Sequence, residues 1–244
     1  MSKPAAMGRS EAHVVLITGC SSGIGRATAE LLQSRGHLVV ATARDPGSLA
    51  GLNAAGKLRL DVTDDRSVAD AVAAVVAEHG RIDALVNNAG YGIQGAVEEV
   101  PVADAAAMFD VNVFGVRRMV RAVAPLMRAR RRGHIINVSS IAGRLSTPAN
   151  GTYAASKFGV EVSVIEPGAV ATRFDETVGR LSRGRLSDPD SPYRPLYDAL
   201  TARRPRARYL AGATASSAAV LAARDLVWGP ATRRLFRFEP RAGA

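Results

Sequence analysis

A short apolar run, His13-Val-Val-Leu-Ile-Thr18, passes directly into Thr18-Gly19-Cys20-Ser21-Ser22-Gly23-Ile24-Gly25. A helical pattern follows from Arg26 to Arg35 and is ended by Gly36. A buried strand, a glycine turn and a helix in direct succession set the helix N-terminus at the carboxyl end of the strand. Glycines let the backbone turn tightly and approach a ligand closely. Free N–H groups and the positive end of the helix dipole suit an anion such as a pyrophosphate. The spacing is G-x-x-x-G-x-G, not the G-x-G-x-x-G of the common dinucleotide fingerprint.

The alternation continues along the chain. Leu38 to Thr42, Leu58 to Asp61, Ile82 to Val86, His134 to Val138 and Val162 to Ile165 read as further strands. Asp64 or Asp65 caps a helix with Val68, Val72, Val75 and Val76 on one face, ending at Gly80. A long helical stretch runs from Asp104 to about Arg132, with Pro125 as a place for a kink. Thr152 opens another helix. Strands alternating with helices predict an α/β fold: a doubly wound parallel sheet, Rossmann-like and flanked by helices, in one domain over residues 1–244. Residues 173–210 are polar and rich in Arg and Pro, with a local helix candidate near Tyr197, and read as a substrate loop or lid. Ala211 to Val227 is Ala-rich and reads as a last helix.

Composition narrows the function classes. A hydrophobic content of 47% and a charged content of 22% are those of a globular protein. Met1 to Glu11 holds no apolar run fit for a signal peptide, and no stretch approaches the roughly 18 apolar residues needed to span a bilayer. No membrane insertion and a cytoplasmic location are the expectations. Cys20 stands alone, so no disulfide forms within the chain, and the four histidines show no metal-ligand spacing. All but three of the 32 basic residues are arginine, for a net charge of +10. The densest group, Arg128, Arg130, Arg131 and Arg132, closes a helix and complements its dipole, so the charge calls for no nucleic acid.

One of the three lysines, Lys157, lies four residues after Tyr153. On a helix the two share a face. A phenol titrates near pKa ~10 in water, and a fixed positive charge beside it makes it a usable proton shuttle. At the end of the second strand, Thr42-Ala43-Arg44-Asp45 places an arginine where dinucleotide folds read the ribose 2′ position. Arg44 predicts a preference for NADP(H) over NAD(H), and Asp45, before Pro46, reads as a turn residue.

With these pieces in order, the chain resembles a short-chain dehydrogenase/reductase over residues 12–172. Thr18 to Gly25 resembles the family's glycine motif, with Thr18, Gly19, Ser21, Ser22, Gly23, Ile24 and Gly25 as cofactor-binding residues. Asp61, followed by Val62, resembles the acid at the adenine. Asn88, Ala89 and Gly90, in Asn87-Asn-Ala-Gly, resemble the motif beside the cofactor. Asn112 resembles the fourth catalytic residue, and Ser140, 13 residues before Tyr153, the catalytic serine. Pro167, Gly168 and Thr172 resemble the segment over the nicotinamide. Gly19-Cys-Ser-Ser-Gly, Ala43-Arg-Asp and Ala155-Ser-Lys-Phe resemble the 17β-hydroxysteroid and retinol dehydrogenase branch.

The resemblance implies hydride transfer between NADP(H) and a small-molecule secondary alcohol or ketone, such as a steroid, a retinoid or another apolar carbonyl. It gives Tyr153 the proton on the substrate oxygen, Ser140 the hydrogen bond to that oxygen, and Lys157 the nicotinamide ribose and a lowered tyrosine pKa. Asn112 holds a water between Lys157 and solvent, and the partner is a second or further copy in a homodimer or homotetramer.

The chain departs from the family after Lys157. Phe158-Gly-Val-Glu161 runs at once into Val162-Ser-Val-Ile-Glu-Pro-Gly168. A helix from Thr152 to Glu161 spans about 15 Å at 1.5 Å per residue, which leaves no residues for a turn into strand six. Either the helix unwinds near Gly159, or strand six joins the sheet late or not at all. Because the catalytic helix is shortened, the alternative expectation is a cofactor-binding protein of the same fold with weak or no activity, and the shortened interface helix weakens assembly. Leu200/Thr201 reads as a second abrupt junction.

Overall fold

The computed structural model describes residues 12–144, 146, 149–158, 164–167 and 208–211. Val15 and Ile17 pack into one apolar layer, Val14 and Leu16 into another, and all four are buried. A strand buried on both faces belongs in the middle of a covered parallel sheet. That strand, β1 (Val14–Ile17), is joined by β2 (Leu38–Ala43), β3 (Gly56–Arg59), β4 (Ala84–Asn87), β5 (His134–Val138), β6 (Val164–Pro167) and β7 (Arg208–Ala211). The order is β3-β2-β1-β4-β5-β6-β7, and every pair is parallel.

Helices α1 (Gly23–Ser34), α2 (Asp65–His79), α3 (Val102–Phe109), α4 (Val116–Ala129) and α5 (Gly151–Phe158) flank the sheet. Ala29 and Leu32 of α1 pack on one face with Val39 and Val86, while Val68, Val72 and Val75 of α2 and Met119, Val123 and Met127 of α4 pack on the other with Leu85. Each large apolar side chain buried there contributes roughly 1.5–3 kcal/mol. Asp64 caps α2 by accepting the N–H groups of Arg66 and Ser67, and Gly80 ends it at φ +71°. Both ends match the sequence reading.

Several boundaries move. The first helix starts at Gly23, inside the glycine turn, not at Arg26. Strand β3 lies two residues earlier than Leu58–Asp61, so Asp61 sits in the loop beyond it. The long helical stretch is broken by a π-helical turn, Asp110–Gly115. Regular α geometry gives way there and not at Pro125, which lies inside α4. A wider turn inserts a residue into the helical ladder and redirects side chains at a functional point. Gly115 ends that turn against Val62: a Cβ on it would stand 2.7 Å from Val62 Cγ2.

The shortened junction itself, residues 159–163, lies outside the described residues; helix α5 is described over Gly151–Phe158 and β6 over Val164–Pro167. Among the described residues, strand β6 pairs with β5 through Asn137↔Val164 and Val138↔Ile165, at the carboxyl end of β5. It pairs with β7 through four residues. Strand β7 corrects the sequence reading, because Arg208 to Leu210 fall in the stretch taken as loop or lid. The rest of 173–207, the Leu200/Thr201 junction and the helix proposed after Ala211 lie outside the described residues.

Candidate active site

The carboxyl ends of β1 and β4 are sewn together. Thr18 Oγ1 accepts the N–H groups of Asn88 and Ala89, both at 3.0 Å, and donates to the Val86 carbonyl at 3.4 Å. The Asn88 side-chain amide donates to the carbonyls of Thr18 at 3.0 Å and Gly19 at 2.9 Å. Gly19 has φ +72°, and a Cβ on it would lie 2.8 Å from Ala89 Cα, so only glycine fits. A Cβ on Gly25 would run into the Asn88 amide and the Gly19 carbonyl. Ser21, Ser22, Gly23 and Ile24 remain half-buried at the turn. Ser22 stands at the N-cap of α1 without a capping bond from its side chain, and no acid occupies the first turn. The leading N–H groups and the helix dipole are thereby left to an anion. Cys20 is buried beneath the turn, and burial pushes its thiol up to about 12, so it is inert packing.

Arg44 follows β2 and is exposed. Asp45 turns its carboxylate onto the Gly47 N–H at 2.9 Å, as expected of a turn residue. Asp61 accepts the N–H and hydroxyl of Thr63, at 3.0 and 2.7 Å. Burial alone raises the Asp61 carboxyl; the Thr63 bonds, with Arg44 and Arg59, outweigh it and hold the group below its ordinary range. Val62 is buried beside it.

The π turn aims Asn112 at the site. Its Nδ2 donates to the Tyr91 carbonyl at 2.8 Å and to Ser156 Oγ at 3.0 Å, and its Oδ1 accepts the Tyr91 N–H at 3.1 Å. One side chain thus ties the loop after β4 to α5. A Cβ on Gly90 would meet Asn112 Oδ1 at 3.0 Å and Lys157 Nζ at 3.1 Å, so these two polar atoms converge on the same backbone position.

Ser140 ends the segment after β5 and caps a single 3-10 turn, Ile141–Gly143, through the Ala142 N–H at 3.2 Å. The Ser140 side chain acts on the Tyr153 phenol as a hydrogen-bonding neighbour. Lys157 Nζ donates to the Val138 carbonyl at 3.3 Å and lies 5.9 Å from the centre of the Tyr153 ring. The backbone of Lys157 is held in turn, since Ser139 Oγ donates to its carbonyl at 3.0 Å. Burial raises the Tyr153 phenol, and Ser140 is the group that draws it down. Burial pushes the Lys157 ammonium down to about 8.

Asn112, Ser140, Tyr153 and Lys157 therefore meet at the carboxyl ends of β4 and β5, one strand from the glycine turn. Pro167 lies in β6; Gly168 and Thr172 are outside the described residues. The sequence reading missed Ser156 as the second partner of Asn112 and Thr18 Oγ1 as the pin of the Asn88-Ala89 backbone. A small hydroxyl residue three after a catalytic tyrosine was the only sequence signal for Ser156. Tyr153, Met108, Ala142 and Ala154 form an apolar cluster with Tyr91, Ile93 and Phe109 packed on it.

A family model for the short chain dehydrogenases matches residues 13–180. The chain belongs to the short-chain dehydrogenase family. It resembles the family's retinol and 17β-hydroxysteroid dehydrogenase branch. It is 46% identical over 152 residues to a 3-ketodihydrosphingosine reductase of Bacteroides thetaiotaomicron, covering 61% of this chain and 55% of that protein. It is 39% identical over 218 residues to retinol dehydrogenase 8 of Bos taurus, covering 76% and 69%. The chain thus spans about half the length of the first relative. A metagenomic short-chain oxidoreductase solved with NADP shares the fold at TM-score 0.70 and 32% identity, covering 85% of this chain and all of that one. A Burkholderia phymatum family member solved with NAD does so at TM-score 0.76 and 29% identity, covering 91% and 96%. Among the described residues of this short-chain dehydrogenase, no helix is long and apolar enough to cross a membrane.

Proposed function

We propose that this chain is an NADP(H)-dependent oxidoreductase acting on a secondary alcohol or ketone of an apolar molecule. The convergence of Tyr153 with Lys157, whose ammonium lies 5.9 Å from the centre of the phenol ring and shares the Gly90 position with Asn112 Oδ1, carries the reading. The cofactor residues fit the group: the α1 N-terminus has no competing acid, and the Lys157 ammonium donates to one carbonyl and keeps further N–H groups for ribose hydroxyls. Arg44 supports the phosphorylated form, since it is exposed at the end of β2 while Asp45 is occupied by Gly47.

When bound, the nicotinamide supplies the hydride. Ser140 holds the substrate oxygen by a hydrogen bond, and Tyr153 places its proton on that oxygen as the carbonyl is reduced. A phenol raised by burial stays protonated at neutral pH, which suits the reductive direction. The charged Lys157 ammonium passes a proton to the phenolate left on Tyr153 and is itself reprotonated from solvent. Asn112 Oδ1 and Lys157 Nζ converge on Gly90, and the second lone pair of Oδ1 would accept a water that carries that proton in. Tyr91 and Ile93, half-buried on the cluster of Met108 and Ala142, would offer the substrate an apolar wall. Relatives named for 3-ketodihydrosphingosine and for retinol agree with an apolar substrate.

A second reading has its own observation. Helix α5 has eight residues, and β6 meets β5 over two. A chain that binds NADPH without turnover fits this reduced support. Calorimetry with NADPH, followed by NADPH oxidation over a panel of apolar ketones, separates the two. Binding without turnover selects the second reading, and absence of binding defeats both.

A further inference from the structure

Resting on the reading of Tyr153 as the proton donor, we propose that a backbone clasp between Gly95 and Ala149 is a positioning device that sets the tyrosine against Ser140. The Gly95 N–H donates to the Ala149 carbonyl at 2.9 Å. Ala149 stands four residues before Tyr153 at φ +61°, one of two non-glycine residues in the left-handed region among those described. The left-handed region is disfavoured for alanine, so its surroundings enforce the conformation. Beside the clasp, Val97 lies against Gly151, where a Cβ would be 3.3 Å from Val97 Cγ2. The Asn150 carbonyl accepts the Ala154 N–H and opens α5.

The loop that supplies Gly95 is itself rigid. Asn112 grips its start by both backbone groups of Tyr91. Its far side is a closed turn, with Glu99 accepting the Ala96 N–H at 3.2 Å while the Ala96 carbonyl takes the N–H groups of Glu99 and Val100. Asn112 also holds Ser156 on α5. Helix α5 is therefore fixed twice from one residue: directly at Ser156, and through Tyr91, Gly95 and Ala149 at its N-terminus. Two points define the line of a short helix, and Tyr153 lies between them.

A double-mutant cycle tests the clasp. Gly95→Pro removes the donor, and Ala149→Val cannot hold a positive φ. Each is expected to lower kcat about tenfold and leave the NADPH dissociation constant within about twofold, and the double variant to be no worse than the poorer single. Ala149→Gly keeps the carbonyl and accepts the backbone, and restores kcat to within about threefold of the parent. A readout free of turnover is the titration of Tyr153, taken as the difference spectrum against Tyr153→Phe. Opening the clasp wets the phenol and brings its pKa down toward 10. Additive losses, parallel loss of NADPH binding, or an unmoved Tyr153 titration overturns the proposal. A parent protein without turnover defeats the catalytic reading, while the titration still decides whether the clasp sets the tyrosine's surroundings.

Discussion

Thr18 and Asn88 exchange two hydrogen bonds: the Asn88 N–H donates to Thr18 Oγ1, and the Asn88 side-chain amide donates to the Thr18 carbonyl, each at 3.0 Å. The pairing joins the glycine turn, proposed to take the pyrophosphate, to the segment after β4 that leads toward Tyr91 and Asn112. In that proposal Asn88 acts on the cofactor through the turn it holds.

Removing that amide is expected to loosen the turn more than the fold. Asn88→Leu forfeits two bonds and leaves the Thr18 and Gly19 carbonyls unpaired, each bond worth about 0.5–1.5 kcal/mol. NADPH affinity should fall about tenfold, while kcat at saturating cofactor stays within about threefold. Calorimetry and steady-state kinetics on one preparation check both numbers. An unchanged dissociation constant contradicts the role.

Gly90→Ala inserts a methyl group 3.0 Å from Asn112 Oδ1 and 3.1 Å from Lys157 Nζ. Both contacts are tight, and moving either atom disturbs proton return to Tyr153. A fall in kcat of about tenfold is expected with a melting temperature close to the parent's, because the strain falls on two side chains and not on packed core. A variant as active as the parent shows that the Lys157–Asn112 spacing is slack.

The pH profile follows from two groups shifted by burial. Tyr153 is raised, so it keeps its proton through neutral pH, whereas Lys157 loses its charge at about 8 in the cofactor-free protein. Reduction requires a protonated phenol and a charged ammonium. The reductive kcat/KM, which reports the free enzyme, is therefore high below about 8 and falls above it. Lys157→Met removes that limb along with most activity. A parent profile flat to pH 10 contradicts the assignment.

Stability carries a separate signature at the opposite end of the sheet. Asp83 accepts the Val14 N–H at 2.9 Å, Arg81 Nε at 2.8 Å and an Arg130 nitrogen at 3.1 Å. Burial raises its carboxyl, and these three partners more than compensate, holding it below the ordinary 3.8. The contribution is complete above 3.8 and is lost as pH falls through the lower folded value. His37 and His134 are lowered from 6.5 by burial and by His13, so the unfolded chain takes up their protons first and stability already declines below 6.5. Thermal melts should show a decline in two stages. Asp83→Asn costs about 2 kcal/mol at neutral pH and shrinks the lower stage.

Local chemistry made much of this legible before any coordinates. A strand, a glycine turn and a helix in contact along the chain declare themselves, as do the Asp64 cap and the Gly80 stop. The elements that escaped depend on partners distant in sequence. Arg208 to Ala211 is a strand only because β6 lies beside it, and its polar surroundings read as loop. The turn at Asp110–Gly115 uses residues that serve equally in an α-helix, so only the packing of Gly115 on Val62 and of Asn112 on Tyr91 reveals the wider winding. At the helix bearing Tyr153, residue counting posed a choice between an early unwinding near Gly159 and a late strand six; β6 does pair in the sheet through Val164 and Ile165, while residues 159–163 lie outside the described residues.

The pairing of Ser140 with Tyr153 is tested most directly by following NADPH absorbance with a panel of long-chain and steroid ketones, parent against Tyr153→Phe. The expected result is NADPH oxidation by the parent on at least one apolar ketone, falling about a thousandfold or more in the variant while NADPH binding is kept. A variant that turns over as fast as the parent, or a parent that binds NADPH and reduces no ketone, contradicts the assignment of Tyr153 as the proton donor of a working reductase.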